Sequence, residues 1–328
     1  MTLARVRREH AGEAAPFAKL RGVLRCTGTR KRTAPKGIPL ANPITKLLPK
    51  RFRREGVTIP VVKLSGMIAA SSSPFRQGLS IASAAPLLEK AFGDKAAPAV
   101  AIVVNSPGGS PVQSRLIFKR IRDLAEEKQK KVLVFVEDVA ASGGYMIACA
   151  GDEIIADPSS IVGSIGVVSG SFGFVEAIQK LGIERRVHTA GQNKATLDPF
   201  QPEKPEDVAH LKALQLEVHD TFIDLVKSRR GGKLKEDDQM FSGLFWSGKR
   251  GLQLGLVDAL GDIRETLRLR YGENVKLDLI SQGRSLLGRK PKGISAGSDG
   301  GLGAIGEGMA DRVFAQLEER AIWARFGL

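Results

Sequence analysis

Apolar residues in this chain fall into short unbroken runs that alternate with longer segments of three- and four-residue spacing, and the pattern begins only after position 56. The runs Thr58 to Leu64, Pro98 to Val104 and Val132 to Val136 predict strands. Between the last two, the spacing from about Pro111 to Glu127 predicts a helix. Ala99-Val100-Ala101-Ile102-Val103-Val104 contains no polar position, as expected of a strand covered on both faces. Strands of that kind, alternating with helices, imply βαβ units and a mainly parallel sheet in an α/β fold.

Further along, Ala141 to Cys149 reads as a buried helix, Glu153 to Ala156 as a strand and Gly163 to Gly173 as a glycine-rich stretch. A helix near Val175 to Leu181 and a strand at Arg185 to His188 are expected next. Glu203 to Arg229 is a long amphipathic helix carrying Leu211, Leu214, Val218, Phe222 and Leu225 on one stripe, ended by Gly231-Gly232. Ile263 to Tyr271 and Val275 to Ile280 supply one more helix and strand. The organisation expected is therefore a poorly ordered leader over 1–56, an α/β domain over 57–282, a Gly, Ser and Lys-rich linker over 283–308 and a C-terminal amphipathic helix over 309–328. On that helix Met309, Val313, Leu317 and Ala321 form a stripe that needs cover from the body or a partner.

Charge sharpens the division. The 328 residues carry a formal net charge of +15, and residues 1–56 hold 15 basic and 3 acidic residues, so the leader accounts for +12 of it. Basic charge confined to a leader fits peripheral contact with anionic membrane, and with so little left on the body no nucleic-acid partner is expected. The leader is also rich in Arg and poor in acids, as transit peptides are. No apolar run reaches 18 residues and no apolar segment follows Arg5, Arg7 and Arg8, so neither a spanning helix nor a secretory signal is read in this chain. A cytoplasmic or peripheral-membrane location is the expectation. The two cysteines, Cys26 and Cys149, are too few for a disulfide framework, and a reducing compartment follows by default.

Two residues point to chemistry. Ser142 lies in Ala140-Ala141-Ser142-Gly143-Gly144-Tyr145, and Lys194 follows in Gly191-Gln192-Asn193-Lys194. A serine hydroxyl is a poor nucleophile at neutral pH, and a lysine serves as its base only where burial disfavours the ammonium form. Small apolar residues flank both, Val139-Ala140-Ala141 before the serine and Ala195-Thr196-Leu197 after the lysine. Gly108 and Gly109 end a parallel strand at the edge where such sheets place their sites. With Gly143, at a strand-to-helix junction, they are candidate oxyanion donors, and Gly109 with Gly143 is the preferred pair. Ser142 also reads as an ordinary helix N-cap, and the glycines as tight turns. Position 140 is alanine, so the Gly-x-Ser-x-Gly elbow is absent. Among His10, His188, His210 and His219 none has an acid-paired context; the last two fit the surface or edge of the long helix. Asp198, before Pro199, reads as fixing a turn. Gly301-Leu302-Gly303-Ala304-Ile305-Gly306 matches a dinucleotide pattern without the strand that must precede it, so no cofactor is expected, and no metal-ligand spacing occurs.

Taken with Asn105-Ser106-Pro107-Gly108-Gly109, Gly163-Ser164-Ile165-Gly166-Val167 and Asp198-Pro199-Phe200, the order and spacing of these segments resemble the signal peptide peptidase A and protease IV family of serine peptidases. Trp246-Ser247-Gly248 and Leu254-Gly255-Leu256-Val257-Asp258 extend the resemblance over about residues 57–280, in the short, single-repeat form. The resemblance implies a ClpP/crotonase-like spiral of βαβ units, a Ser142–Lys194 dyad, and a lysine-orienting role for Ser164. It also implies a homo-oligomer and extended peptide substrates with small apolar side chains beside the cut, such as signal-peptide remnants or membrane-protein fragments. Two rivals stay open: an acyl-CoA hydratase or isomerase on the same fold, and a catalytically dead scaffold subunit.

Overall fold

A computed structural model of the chain describes residues 56–70, 78–281, 317 and 319–328. The leader, the linker, and Met309 and Val313 of the C-terminal stripe lie outside the described residues. In chain order the elements are β1 (Thr58–Ser65), α1 (Ile81–Gly93), β2 (Ala99–Ser106), α2 (Pro111–Lys128), β3 (Lys131–Ala141), α3 (Gly143–Ala148), β4 (Glu153–Ala156) and β5 (Ile161–Gly163). There follow α4 (Val175–Lys180), α5 (Pro205–Arg230), β6 (Phe245–Ser247), α6 (Gly248–Leu254), β7 (Ala259–Leu260), α7 (Ile263–Tyr271) and β8 (Lys276–Leu279). The sheet runs β6-β5-β3-β2-β1-β8, with β4 paired to β3 and β7. Every strand pairing is parallel except β5 with β6. This is the mostly parallel α/β architecture expected from the alternation of apolar runs.

The unbroken apolar run of β2 serves two cores. Val100, Ile102 and Val104 enter the larger one with α1, α2 and α3, while Ala99, Ala101 and Val103 enter a second with Leu267 of α7. β3 divides the same way, Val132, Val134 and Val136 against Leu133 and Phe135. The period of two along a strand buried on both faces requires this division.

β3 is longer than its apolar run. Val104 pairs with Val136 but Ser106 pairs with Ala140, so β3 carries two additional residues, Glu137 and Asp138, both exposed. The irregularity is held by Asn105, whose Nδ2 donates to Asp138 at 2.6 Å and whose Oδ1 accepts from the Val139 N–H at 3.3 Å. Below it β3 pairs with β4; above it Val139–Ala141 pairs with β5. The polar break after Val136 thus marks a change of partner within one strand, and the upper half delivers Ser142.

No strand forms at Arg185 to His188. These residues are exposed and have no ladder partner among the described residues, and an unpaired extended segment gains nothing from strand geometry. α5 forms as expected but only Phe222, Val226 and Arg230 are buried, so Leu214 and Leu216 of its first half are exposed. On the C-terminal stripe Leu317 and Ala321 are also exposed; the anchor there is Phe326, packed with Val139, Ala141, Ile161, Phe245 and Trp323. Among the described residues no helix is long and apolar enough to cross a membrane.

Candidate active site

Ser142 stands where β3 turns into α3, and its backbone adopts φ 50 and ψ −121, a conformation that costs an L residue about 1–3 kcal/mol. Both ends are tied: its N–H donates to the Gly163 carbonyl at 2.8 Å, and its carbonyl accepts from Met146 at 3.0 Å. α3 is buried at every residue, so its position is set by packing. Although Ser142 occupies the N-cap position, its hydroxyl caps nothing. It lines a cavity of about 240 Å³ together with Ser164, Gly166, Val167, Val168, His219, Ser242, Gly243 and Arg325. Capping therefore does not account for this serine.

Backbone from three segments crowds around it. The Ile68 N–H donates to the Gly108 carbonyl and the Ser110 N–H to the Ile68 carbonyl, both at 2.8 Å, which pins the turn after β2. A Cβ at Gly108 would lie 2.8 Å from the Ser142 Cβ and 2.9 Å from the Gly143 nitrogen; one at Gly109 would lie 2.1 Å from the Ile68 oxygen. Both have positive φ, 108 and 137, so glycine is required there by conformation and by contact. Their N–H groups differ. That of Gly108 donates to Ser106 Oγ at 3.3 Å, whereas no hydrogen bond among the described residues uses the N–H of Gly109 or Gly143. Two uncommitted donors beside an uncapped serine are suited to an oxyanion, and Gly108 is the weaker of the three candidates.

Ser164 follows Gly163, is buried with φ 52, and is held by its N–H on the Leu244 carbonyl at 2.8 Å. The adjoining Ile165 carbonyl receives a hydrogen bond from His219 Nε2 at 3.0 Å. Because a carbonyl only accepts, Nε2 carries the proton in this contact. His219 was expected at the surface or edge of the long helix; it lies instead half-buried in the cavity wall, reaching the turn that holds Ser164. Its signal in the sequence was the position one residue after Val218 of the apolar stripe.

Among the described residues Lys194 shares neither a hydrogen bond nor the cavity wall with Ser142. It is exposed, lies outside the cavity lining, and sits in a turn closed by its own N–H on the Gly191 carbonyl at 3.3 Å. The turn belongs to an arm spanning about residues 168–201, in which α4 buries no residue and Val168, Phe172, Leu181 and Ile183 are exposed. The base of the arm is closed by Phe174 against Phe200, ring centroids 5.6 Å apart, and by the Phe174 N–H on the Pro199 carbonyl. Asp198 fixes that turn, accepting from the Phe200 N–H at 3.1 Å and pairing with Arg185, whose guanidinium holds the carboxyl below its ordinary range. His188, on the same arm, is exposed and absent from the cavity wall.

Cys149 is buried at the foot of α3, and burial pushes its thiol up to about 12, so it supplies no thiolate at neutral pH. Cys26 lies outside the described residues. Among the described residues no cluster of His, Cys, Asp and Glu could hold a metal ion.

Comparison with known proteins gives the family. The model of peptidase family S49 matches residues 125–277, from the end of α2 to β8. A Brucella abortus protein named Na(+)/H(+) antiporter NhaA is 63% identical over 288 residues, 87% of this chain and 39% of that protein. The chain thus spans about two-fifths of the length of that relative, and of its Brucella melitensis counterpart. Protease 4 of Haemophilus influenzae is 32% identical over 67% of this chain and 36% of its own length. A Synechocystis protein with a provisional protease name is 30% identical over 212 residues, 63% of this chain and 76% of that protein. On the family match and these relatives, the chain belongs to peptidase family S49.

Proposed function

We propose that the chain is a serine endopeptidase with a Ser142–Lys194 dyad, acting on extended apolar peptides such as signal-peptide remnants or membrane-protein fragments. The observation that carries this is Ser142 itself: a strained, uncapped hydroxyl in a cavity, with the N–H groups of Gly109 and Gly143 uncommitted beside it. An acyl-CoA hydratase on the same fold would use the amide pair but has no need of a serine held at φ 50.

In this reading the neutral Lys194 amine takes the proton from Ser142 Oγ as Oγ attacks the peptide carbonyl. The developing oxyanion accepts from Gly109 and Gly143. Lys194 then protonates the departing amine, and the acyl group leaves Ser142 when Lys194 activates a water. Ser164, which lines the same cavity, would orient the amine in this reading. The nucleophile belongs to the folded body and the base to an arm whose apolar side chains need cover, so we assign completion of the site to a second copy of the chain. Docking of the arm excludes water, the condition under which a neutral amine is favoured. The membrane contact proposed for residues 1–56 would keep such an assembly near its substrates.

A fluorophosphonate should form a covalent adduct on the tryptic peptide containing Ser142, read by mass spectrometry, and leave Ser142→Ala unlabelled. Peptide hydrolysis that persists without an adduct, or an adduct elsewhere, would remove Ser142 from the nucleophile's role. Gly109→Ala should lower kcat by about 10²–10³-fold, because the added Cβ meets the Ile68 oxygen and turns the amide away from the oxyanion. A variant within threefold of wild type in steady-state kinetics would mean that Gly109 is only a turn residue.

A further inference from the structure

One residue near the C-terminal end of the described chain, Arg325, lines the cavity that holds Ser142. A helical turn over 319–324 leads into Arg325 and Phe326, and Phe326 is 8% exposed, its ring packed edge-on to Phe245 with centroids 5.0 Å apart. The same cluster contains Val139 and Ala141, so the anchor rests on the strand segment that delivers Ser142. Arg325, one residue before the anchor, forms part of the wall of the cavity that holds Ser142 and Ser164.

The charge of that wall is one-sided. Its lining residues include one arginine, Arg325, and no Asp or Glu. Among the described residues Arg325 makes no ion pair; its guanidinium lies 5.9 Å from the centroid of the Phe326 ring. Several arginines elsewhere in the fold are matched to carboxylates, as Arg122 is to Asp152 and Arg270 to Glu153, but none of these lines the cavity that holds Ser142. A planar guanidinium left unpaired at the mouth of a cavity presents parallel donors, and the partner that fits them is a carboxylate.

We propose that Arg325 is a specificity-determining residue that binds a carboxylate of the peptide close to the scissile bond, either an acidic side chain or a free C-terminus. The inference rests on the peptidase reading for the nature of the occupant. It adds to the expected apolar preference a requirement that composition alone does not express: small apolar residues at the cut, with an acid within reach of Arg325. The residue that confers it lies outside the segment matched by the family model, so the preference belongs to this chain's own tail.

The test uses full-length chain carrying Ser142→Ala, so that peptide binds without being cut, and reads affinity by fluorescence anisotropy. Three peptides share one apolar sequence: one is amidated, one has a free C-terminal carboxylate, and one is amidated with a single glutamate within three residues of the centre. At least one carboxylate peptide should bind about five- to tenfold more tightly than the neutral one. Which of the two does so identifies the source of the carboxylate. Adding Arg325→Ala should bring that ratio to about one, and Arg325→Glu should turn it in favour of a lysine-bearing peptide. Equal affinities for all three peptides, including equal absence of binding, overturn the proposal, as does a preference that survives Arg325→Ala. Hydrolysis by the wild-type chain is scored separately. An Arg325-dependent preference in a chain that cuts nothing would sink the peptidase reading and leave only the binding of a carboxylate by Arg325 standing.

Discussion

Ser142→Ala and Lys194→Ala chains are each expected to lose at least about 10⁴-fold in kcat on an apolar fluorogenic peptide, and to regain activity when mixed. The loss follows from the proposed roles: without Oγ no acyl-enzyme would form, and without the amine no group would take or return the proton. The recovery follows from position. Ser142 lines a cavity in the folded body while Lys194 is exposed on an arm that contributes no side chain beyond Val168 to that cavity. If the arm of one copy serves the serine of the next, an assembly of both variants juxtaposes an intact Ser142 with an intact Lys194 at roughly one site in four. Mixing after dissociation and reassembly should therefore restore about a quarter of wild-type activity. A mixture that remains silent, beside a wild type carried through the same steps and active, would show that the dyad closes within one chain or that Lys194 is not the base.

Much of this arrangement was legible in the residues. Unbroken apolar runs announced β2 and β3 because a parallel strand has no solvent face to spend on polar positions. The glycines at 108, 109 and 143 were legible as special positions because a Cβ there has no room, against neighbouring backbone at 108 and 109 and against the Ser114 side chain at 143. What was hidden depends on contacts distant in sequence. Glu137 and Asp138 look like the end of a strand, yet β3 continues past them because Asn105 bridges the irregularity from the neighbouring strand. Arg185 to His188 has strand-like composition but no strand to pair with. His219 reaches the cavity from α5 and Arg325 from the turn after the helical residues 319–324, placements that local spacing alone does not specify. Position on a helix is a local property; what the helix packs against is not.

The residue with the largest expected effect on stability is likewise one that spacing did not single out. Asp258→Ala should destabilise the fold by about 3–5 kcal/mol, lowering the unfolding midpoint by about 10 °C. The Arg230 side chain is 2% exposed and donates to Asp258 Oδ2 at 2.6 Å and twice to the Gly255 carbonyl, at 3.1 and 2.8 Å. Asp258 also accepts from the Ile154 N–H at 2.8 Å and from Lys233 at 2.6 Å. Arg229, beside it, closes the foot of α3 by donating to the carbonyls of Cys149 and Gly151, both at 2.9 Å. Tyr145 of α3 donates to the Leu256 carbonyl at 2.8 Å. The buried pair thus joins the end of α5 to the turn before β7, while Arg229 and Tyr145 tie the helix that follows Ser142 to the same region, and removing the carboxylate leaves a guanidinium buried with its charge uncompensated. Burial by itself raises the Asp258 carboxyl, but the hydrogen bonds from Arg230, Lys233 and Ile154 outweigh it and hold the group below its ordinary range. A carboxyl depressed in the folded state contributes stability that is complete above its unfolded pKa of about 3.9 and is lost as pH falls through the lower folded value. Denaturant titrations of wild type and Asp258→Asn between neutral pH and pH 3 should therefore converge toward the acid end. Replacing both partners, Arg230→Met with Asp258→Leu, should cost less than the sum of the single changes, since neither charge is then stranded. Additive losses, or an Asp258→Ala chain within 1 kcal/mol of wild type, would mean that the pair is not what fixes the base of the nucleophile's helix.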